Sequence, residues 1–221
     1  MNKYKTERGC ERYFDTFINF IESPEVQTQK EIYLGTTLPL GFEGILYNTE
    51  QLTIPRNLEL ILDSIRGTPG LEVWDYSQVN VRILSEKNAC AKFVPLHSPK
   101  WYVEKLRMFR TIHSQFKYDI GFSGSPSSRR EAILCGLRTK FSVLHTTAWG
   151  DERDKELSSC RILVNIHYST EHQIFETARC EPWLQLGVPI ISELSVENDS
   201  RCILTTYDGF VDTVAKYFLS H

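Results

Sequence analysis

Several features that decide the class of a protein are missing from this sequence of 221 residues. It has no apolar run near the roughly 18 residues that cross a membrane, and its first residues lack the apolar core of a signal peptide. The six cysteines are scattered, and no Cys-x-x-Cys pair indicates a zinc or redox site. The net charge of -3 gives no basic field for nucleic acid. These absences favour a cytoplasmic protein that has no transmembrane segment and binds no nucleic acid.

The short motifs of common metal-dependent and hydrolytic enzymes are also missing. The sequence contains no Asp-x-Asp, His-x-x-x-His or His-Glu-x-x-His pattern, so no metal site is predicted. It lacks the Gly-x-Ser-x-Gly turn of serine hydrolases. It also lacks the lysine-serine phosphate loop and the Gly-x-Gly-x-x-Gly fingerprint of many nucleotide-binding proteins. Any chemistry must therefore be carried by a less common arrangement of polar residues.

What the sequence does contain is a regular alternation of short apolar runs and amphipathic stretches. The apolar runs predict buried strands and the amphipathic stretches predict helices, so the chain is predicted to be α/β with parallel sheets in two halves. We expect a reduced N-terminal half over 1–97, a linker and helix over 98–117, and a C-terminal half over 118–221. The first helix is predicted over 5–22. The strands are predicted over 31–35, 44–48, 71–74, 91–95, 118–122, 140–145, 162–166, 188–191 and 202–205.

The most informative stretch is the strand–loop–helix–strand pattern over 161–193. Its loop begins with His167 and Tyr168, at the carboxyl end of a predicted strand, where open parallel sheets bind ligands. The following helix carries Glu176 and Arg179, which lie three residues apart and therefore on one face. The alternative is an ordinary crossover helix with a surface ion pair.

A second loop, over 123–130, has the composition of an anion site. Gly124 and Ser125 are small enough to let the backbone approach a ligand, and the next helix opens with Arg129 and Arg130. A helix N-terminus exposes N–H groups and the positive end of its dipole, and the arginines add charge where a phosphate would lie. The alternative is a capped helix with solvent-exposed arginines.

Three stretches follow one another in a recognisable order: DIGFSGSPSSRREAIL, AWGDERDKELSSCRILVNIHYS and IFETARCEPWLQLGVPIISE. They combine a strand, a small-residue loop with basic residues, a later strand, an acidic helix and a Gly-x-Pro-hydrophobic-hydrophobic run. Together they resemble the donor-binding half of GT-B glycosyltransferases of the group 1 type. The earlier pieces LYNTEQL, VWDYSQVN and FVPLH resemble the end of the acceptor domain in a subset of these proteins. The resemblance implies a compact GT-B-like fold, in which two Rossmann-like halves with parallel sheets face a cleft.

The resemblance also implies an activity. A sugar would move from a nucleotide-diphosphate-sugar to a glycan, protein or small-molecule acceptor, without a metal and with no cofactor beyond the co-substrate itself. Arg129 or Arg130 would neutralise the diphosphate, and Arg179 would assist the phosphates or hold a glutamate. Gly124 and Ser125 would form the phosphate loop.

The remaining roles concern the base, the ribose and the sugar. Trp149 and Tyr168 are expected to meet the base and the sugar, and His167 and Glu176 to act in catalysis. The ribose is expected to bind Glu181 or Glu176, and the choice stays open because the family's Glu-x7-Glu spacing is absent. The short first half leaves two other functions open. One is a nucleotide-sugar-binding or structural module without catalysis, and the other is a different nucleotide-sugar enzyme such as an epimerase.

Overall fold

The structure is a computed structural model that describes residues 3–6, 28–112 and 115–221. The chain divides into two compact units, Met1–Pro99 and Lys100–His221. Each unit contains a five-stranded sheet in which all neighbouring strands are parallel, with helices flanking it. The predicted α/β class with parallel sheets in two halves is confirmed.

The first unit has a sheet with the simple order β1-β2-β3-β4-β5. Its core contains Leu46, Ile61, Val73 and Leu84, from two strands and two helices. Ser77 caps the second helix, because its hydroxyl oxygen accepts hydrogen bonds from two backbone N–H groups of the first turn. The elements are β1 (Lys3–Thr6), β2 (Glu31–Leu34), β3 (Ile45–Asn48), α1 (Pro55–Gly67), β4 (Glu72–Asp75), α2 (Gln78–Glu86) and β5 (Lys92–Phe93).

The helix predicted over 5–22 is wrong at its first two residues. Lys5 and Thr6 were expected to open a helix over 5–22, but they lie in strand β1. This strand pairs in parallel with β2, and Lys5 forms an ion pair with Glu31 at 2.7 Å, so a contact distant in sequence overrides the local pattern. The rest of the predicted helix lies outside the described residues.

A buried polar cluster joins the carboxyl ends of β3 and β4. The Asp75 carboxylate is fully buried and accepts hydrogen bonds from Asn48 Nδ2 at 2.7 Å, Ser77 N at 2.8 Å and Asn80 Nδ2 at 3.0 Å. Burial raises the pKa of Asp75 to about 7, although these three donors oppose the rise. Asn80 Oδ1 also accepts a bond from Leu52 N. The cluster therefore fixes the loops that follow both strands.

The second unit has the sheet order β10-β9-β8-β6-β7. Its core packs Phe122 and Ile162 of the sheet against Leu134 and Phe210 of two helices. The helix predicted within 98–117 belongs to this unit, where Tyr102 donates a hydrogen bond to Asp154 at 2.8 Å. The elements are α3 (Lys100–Thr111), β6 (Tyr118–Ser123), α4 (Ser128–Arg138), β7 (Val143–Thr146), α5 (Gly150–Ser158), β8 (Cys160–Asn165), α6 (Thr177–Gln185), β9 (Ile190–Glu193), β10 (Ile203–Thr205) and α7 (Phe210–Ser220).

The strand order of the second unit reverses direction at one point. The chain runs outward from β6 to β7, and then returns to place β8 on the other side of β6. Strands β9 and β10 follow outward from β8. This is the order of flavodoxin-like sheets, in which ligands bind where the loops after the first and third strands separate. In the second unit that point lies between the carboxyl ends of β6 and β8.

Candidate functional site

The carboxyl ends of β6 and β8 bring two of the predicted loops together. Gly124 follows β6, and His167 lies just beyond the end of β8. Ser127 at the start of α4 donates a hydrogen bond to the Tyr168 carbonyl oxygen at 2.9 Å, which ties the two loops to each other. The candidate site is therefore assembled at the reversal point of the sheet.

Two arginine side chains converge on Gly124 at this point. A Cβ atom at residue 124 would lie 3.1 Å from Arg130 Nη1 and 3.2 Å from Arg179 Nη2. The two guanidinium carbon atoms also lie 5.2 Å and 5.5 Å from the centre of the same buried ring, that of Phe122. Any side chain at residue 124 would displace the arginines, so glycine permits their approach.

Two backbone carbonyl oxygen atoms hold the Arg130 side chain in place. Its Nε donates to the Ile166 carbonyl and its Nη1 to the Ser125 carbonyl, both at 2.9 Å. The residue is only 3% exposed, and its Nη2 makes no hydrogen bond within the described part of the chain. Burial first, and then the charge of Arg179, lower the pKa of Arg130 to about 10, so it stays charged at neutral pH.

Arg179 is positioned by two polar residues that the sequence analysis missed. Its Nη1 donates to Asn165 Oδ1 at 3.0 Å, and Asn165 Nδ2 in turn donates to Ser192 Oγ at 3.0 Å. Asn165 and Ser192 are both fully buried, so this chain of bonds fixes which amide atom faces the arginine. A polar residue at the end of each apolar strand was the signal that could have identified them.

Arg129 points elsewhere, although it is the neighbour of Arg130 in the sequence. It forms a two-bond ion pair with Glu193, a third residue that the sequence analysis missed, at the end of β9. Its Nη1 also donates to the His167 carbonyl, and its guanidinium lies 4.0 Å from the ring centre of Tyr207. The hydrogen bonds to Glu193 raise the pKa of Arg129. Its charge is thus neutralised within the protein.

His167 is buried, with 3% of its surface exposed. Its backbone N–H donates to Glu193, and its Nε2 lies 3.2 Å from both the Leu194 carbonyl oxygen and Ser195 Oγ. Nδ1 is buried and has no hydrogen-bond partner among the described residues. Burial lowers the pKa of His167, so the ring is neutral near pH 7. The predicted catalytic histidine therefore anchors the loop that follows β9.

The two candidate glutamates lie in different surroundings. Glu176 occupies the position before α6, with its Oε2 3.7 Å from Arg179 Nη2, beside the converging arginines. Glu181 is buried on α6, where it pairs with Arg201 and accepts a bond from Gln185 at 2.8 Å. Arg201 also pairs with Asp199. Only Glu176 contacts one of the two arginines that converge on Gly124.

The other predicted residues lie around the same edge. The Tyr168 ring lies 5.3 Å from the Arg130 guanidinium and is 41% exposed. Ser125 is exposed and contributes its carbonyl oxygen to Arg130. Trp149 lies just before α5 and has an exposed ring. Tyr168 also contacts His172, a residue of the same loop that the sequence analysis did not identify.

The described residues contain neither a metal-binding cluster nor a membrane-spanning helix. No group of three or more histidine, cysteine, aspartate or glutamate side chains there could hold a metal ion. In that same part of the chain, no helix combines the length and the apolar character needed to cross a bilayer.

The chain is similar to several proteins of Acanthamoeba polyphaga mimivirus. It is 30% identical over 189 residues to uncharacterized protein L140, which covers 80% of this chain and 59% of that protein. It is 32% identical over 185 residues to uncharacterized protein L137, covering 80% of this chain and 24% of that protein. Uncharacterized protein R358 is 29% identical over 232 residues, covering 93% of this chain and 75% of that protein.

The chain thus spans less than two thirds of the length of L140 and of L137. No protein-family model and no solved structure matches it.

Proposed function

We propose that the second unit binds a nucleotide-diphosphate-sugar at the carboxyl edge of its sheet, and that the protein is a metal-independent glycosyltransferase with a GT-B arrangement. The observation that carries this proposal is the convergence of Arg130 and Arg179 on Gly124 at the reversal point of the sheet. Two cations there face one nearby carboxylate, that of Glu176. The excess positive charge favours an anionic ligand.

A diphosphate fits this arrangement in both charge and shape. Guanidinium groups present planar pairs of N–H donors that match phosphate oxygens, and Arg130 keeps Nη2 available for such a bond. In sugar transfer, negative charge grows on the leaving diphosphate, so fixed cations at this point stabilise the transition state more than the substrate. The residues proposed to bind the phosphates are therefore Arg130 and Arg179, whereas the charge of Arg129 is neutralised by Glu193.

Glu176 is the proposed partner for a hydroxyl group of the donor. It lies beside Arg179 at the start of α6, and a carboxylate can accept hydrogen bonds from two adjacent hydroxyl groups. Glu181 pairs with Arg201, whereas Glu176 contacts Arg179 of the converging pair, which favours Glu176 over Glu181 for the ribose or the sugar. The first unit is proposed to bind the acceptor.

A binding module without catalysis is the second candidate function. It is favoured by the position of His167, the expected catalytic histidine, which is buried and engaged with the loop after β9. In such a module the arginine pair would still bind a nucleotide-sugar, but no sugar would be transferred.

Calorimetric titration with UDP-, GDP-, dTDP- and CMP-linked sugars tests the binding proposal. A diphosphate-linked sugar should bind more tightly than the CMP-linked one, which carries a single phosphate. Arg130→Gln and Arg179→Gln should each weaken binding about 10- to 150-fold, because a charge-assisted hydrogen bond contributes about 1.5–3 kcal/mol. Arg138→Gln is the matched control, since Arg138 lies on the same helix but is exposed and pairs with Glu131.

The binding proposal fails if Arg130→Gln and Arg179→Gln both bind the donor as tightly as Arg138→Gln does. The transfer step is tested separately, by measuring release of the nucleoside diphosphate and attachment of a labelled sugar to candidate acceptors. A donor that binds through the arginines but is never consumed in the presence of an acceptor panel would support the binding module instead.

A further inference from the structure

His172 lies on the loop between β8 and α6, one aromatic ring away from Arg130. Its ring meets the Tyr168 ring edge-on, with the centres 5.3 Å apart and the planes inclined at 62°. The Tyr168 ring also lies 5.3 Å from the Arg130 guanidinium. A single aromatic ring thus separates the His172 imidazole from Arg130, one of the residues proposed to bind the phosphates.

The orientation of the His172 ring is fixed by Ser169. Ser169 Oγ lies 2.8 Å from His172 Nδ1 and accepts a bond from Glu171 N at 3.2 Å. This leaves Nε2, which makes no hydrogen bond within the described part of the chain, as the nitrogen atom available to a ligand. The ring is only partly buried, so a ligand can reach it.

Charged groups of both signs surround the imidazole. Glu176 and Glu171 favour its protonated form, whereas Arg130 and His167 disfavour it. Burial is the largest influence and lowers the pKa of His172, so the ring is mostly neutral near pH 7 before a ligand binds. A bound diphosphate would add negative charge at this position and would favour the protonated form.

We infer that His172 is a further ligand-binding residue of the proposed donor site and takes up a proton when the diphosphate binds. This inference rests on the proposed function for its ligand. The protonated ring would donate a hydrogen bond from Nε2 to a phosphate oxygen, adding a third cation to Arg130 and Arg179. Affinity for a donor of fixed charge should then fall as the pH rises from about 6 to 8.

His167 is not an alternative carrier of this role. Its Nε2 is engaged by Leu194 and Ser195, and the residue is buried. A ligand could reach it only if the loop after β9 moved. His172 is thus the histidine of this loop that is partly exposed, and its ring contacts Tyr168, which in turn lies against Arg130.

Proton NMR titration of the histidine rings tests the inference on the full chain. The His172 signal is identified by its loss in His172→Gln, or by through-bond assignment if that variant does not fold. The titration is run between about pH 5 and pH 8, without ligand, with sulfate, and with each nucleotide-diphosphate-sugar. All these anions keep a constant charge over that range, because both phosphates of a nucleotide-sugar are esterified.

We expect a bound anion to raise the pKa of His172 by about one pH unit, as for a unit charge roughly 6 Å away in partly solvated surroundings. The titration of His97, which is exposed in the first unit, should not change and serves as the control. Donor affinity in the wild type should fall up to about tenfold from pH 6 to pH 8. In His172→Gln it should be weak and independent of pH, and in His172→Lys strong and independent of pH.

The outcomes separate this inference from the proposed function. If a nucleotide-sugar binds through Arg130 while the titration of His172 stays unchanged, the inference is overturned and the proposed function stands. If sulfate raises the pKa of His172 but no nucleotide-sugar binds, the anion-linked histidine is supported and the proposed function fails. If no anion changes the titration of His172, the inference is wrong.

Discussion

Replacing Arg129 should cost the protein stability without removing a ligand contact. Arg129 and Glu193 have side chains only 17% and 8% exposed, and two hydrogen bonds join them. Glu193 also accepts the backbone N–H of His167 at 3.1 Å. Arg129→Met leaves the Glu193 carboxylate buried without its cation. Removing one partner of a buried ion pair destabilises a protein by about 3–5 kcal/mol, so the free energy of unfolding should fall by that amount.

A double-mutant cycle measured by urea unfolding isolates this pair. Glu193→Met should destabilise the second unit by a similar amount, because it leaves the half-buried Arg129 without its carboxylate partner. The double variant Arg129→Met/Glu193→Met should lose less free energy of unfolding than the two single variants added together. The reason is that it leaves neither charged side chain without its partner. The double variant should not recover fully, since the His167 N–H then lacks an acceptor, which costs about 1–3 kcal/mol. Arg138→Met is the control on the exposed side of the same helix.

The opposite pattern would refute this reasoning. If Arg129→Met unfolds at the urea concentration of the wild type and yet loses affinity for nucleotide-sugars, Arg129 is a ligand and its pairing with Glu193 does not stabilise the fold. If the single losses simply add in the double variant, the two side chains do not interact energetically.

Three further substitutions test other parts of the structure. Gly124→Ala should weaken donor binding about tenfold or more in a calorimetric titration while circular dichroism stays unchanged, because the new Cβ would press on the Arg130 and Arg179 nitrogen atoms. Glu181→Gln should leave donor affinity unchanged. It should lower the free energy of urea unfolding by about 1 kcal/mol, since its partner Arg201 is partly exposed. A loss of donor affinity in this variant would indicate that Glu181 binds the ribose. Asp75 keeps a proton in the folded protein up to about pH 7 that the unfolded chain releases near pH 3.8. The urea stability of the first unit should therefore fall by a few kcal/mol as the pH rises between these values and then level off, and Asp75→Asn should remove that slope.

Local pattern was sufficient to predict the fold class and most of the elements. Apolar runs bounded by polar loops predicted strands such as β3 and β8, and Ser77 and Ser127 cap helices close to where helices were expected. The order of the strands could not be predicted in this way, because it depends on pairing between distant segments. The N-terminal strand was missed for the same reason, since β1 is defined by its pairing with β2.

The candidate site, like the fold, could be predicted only in part from the sequence. The sequence indicated the two loops and most of the charged residues, because small residues, arginines and a strand end mark an anion site. It could not indicate which charges neutralise one another. Glu193 and Asn165 were visible only as polar residues at the ends of apolar strands, and their partners Arg129 and Arg179 lie 64 and 14 residues away.

The contrast between Arg129 and Arg130 shows what the fold adds to the sequence. Consecutive residues on a helix point about 100° apart, so neighbouring arginines at the start of α4 face different surroundings. One meets a buried carboxylate and becomes part of the scaffold. The other meets backbone oxygens and a second arginine, an arrangement that lowers its pKa and is unfavourable without an anion. Because strongly perturbed charges cluster at functional sites, it is the second arginine that supports the proposed ligand site.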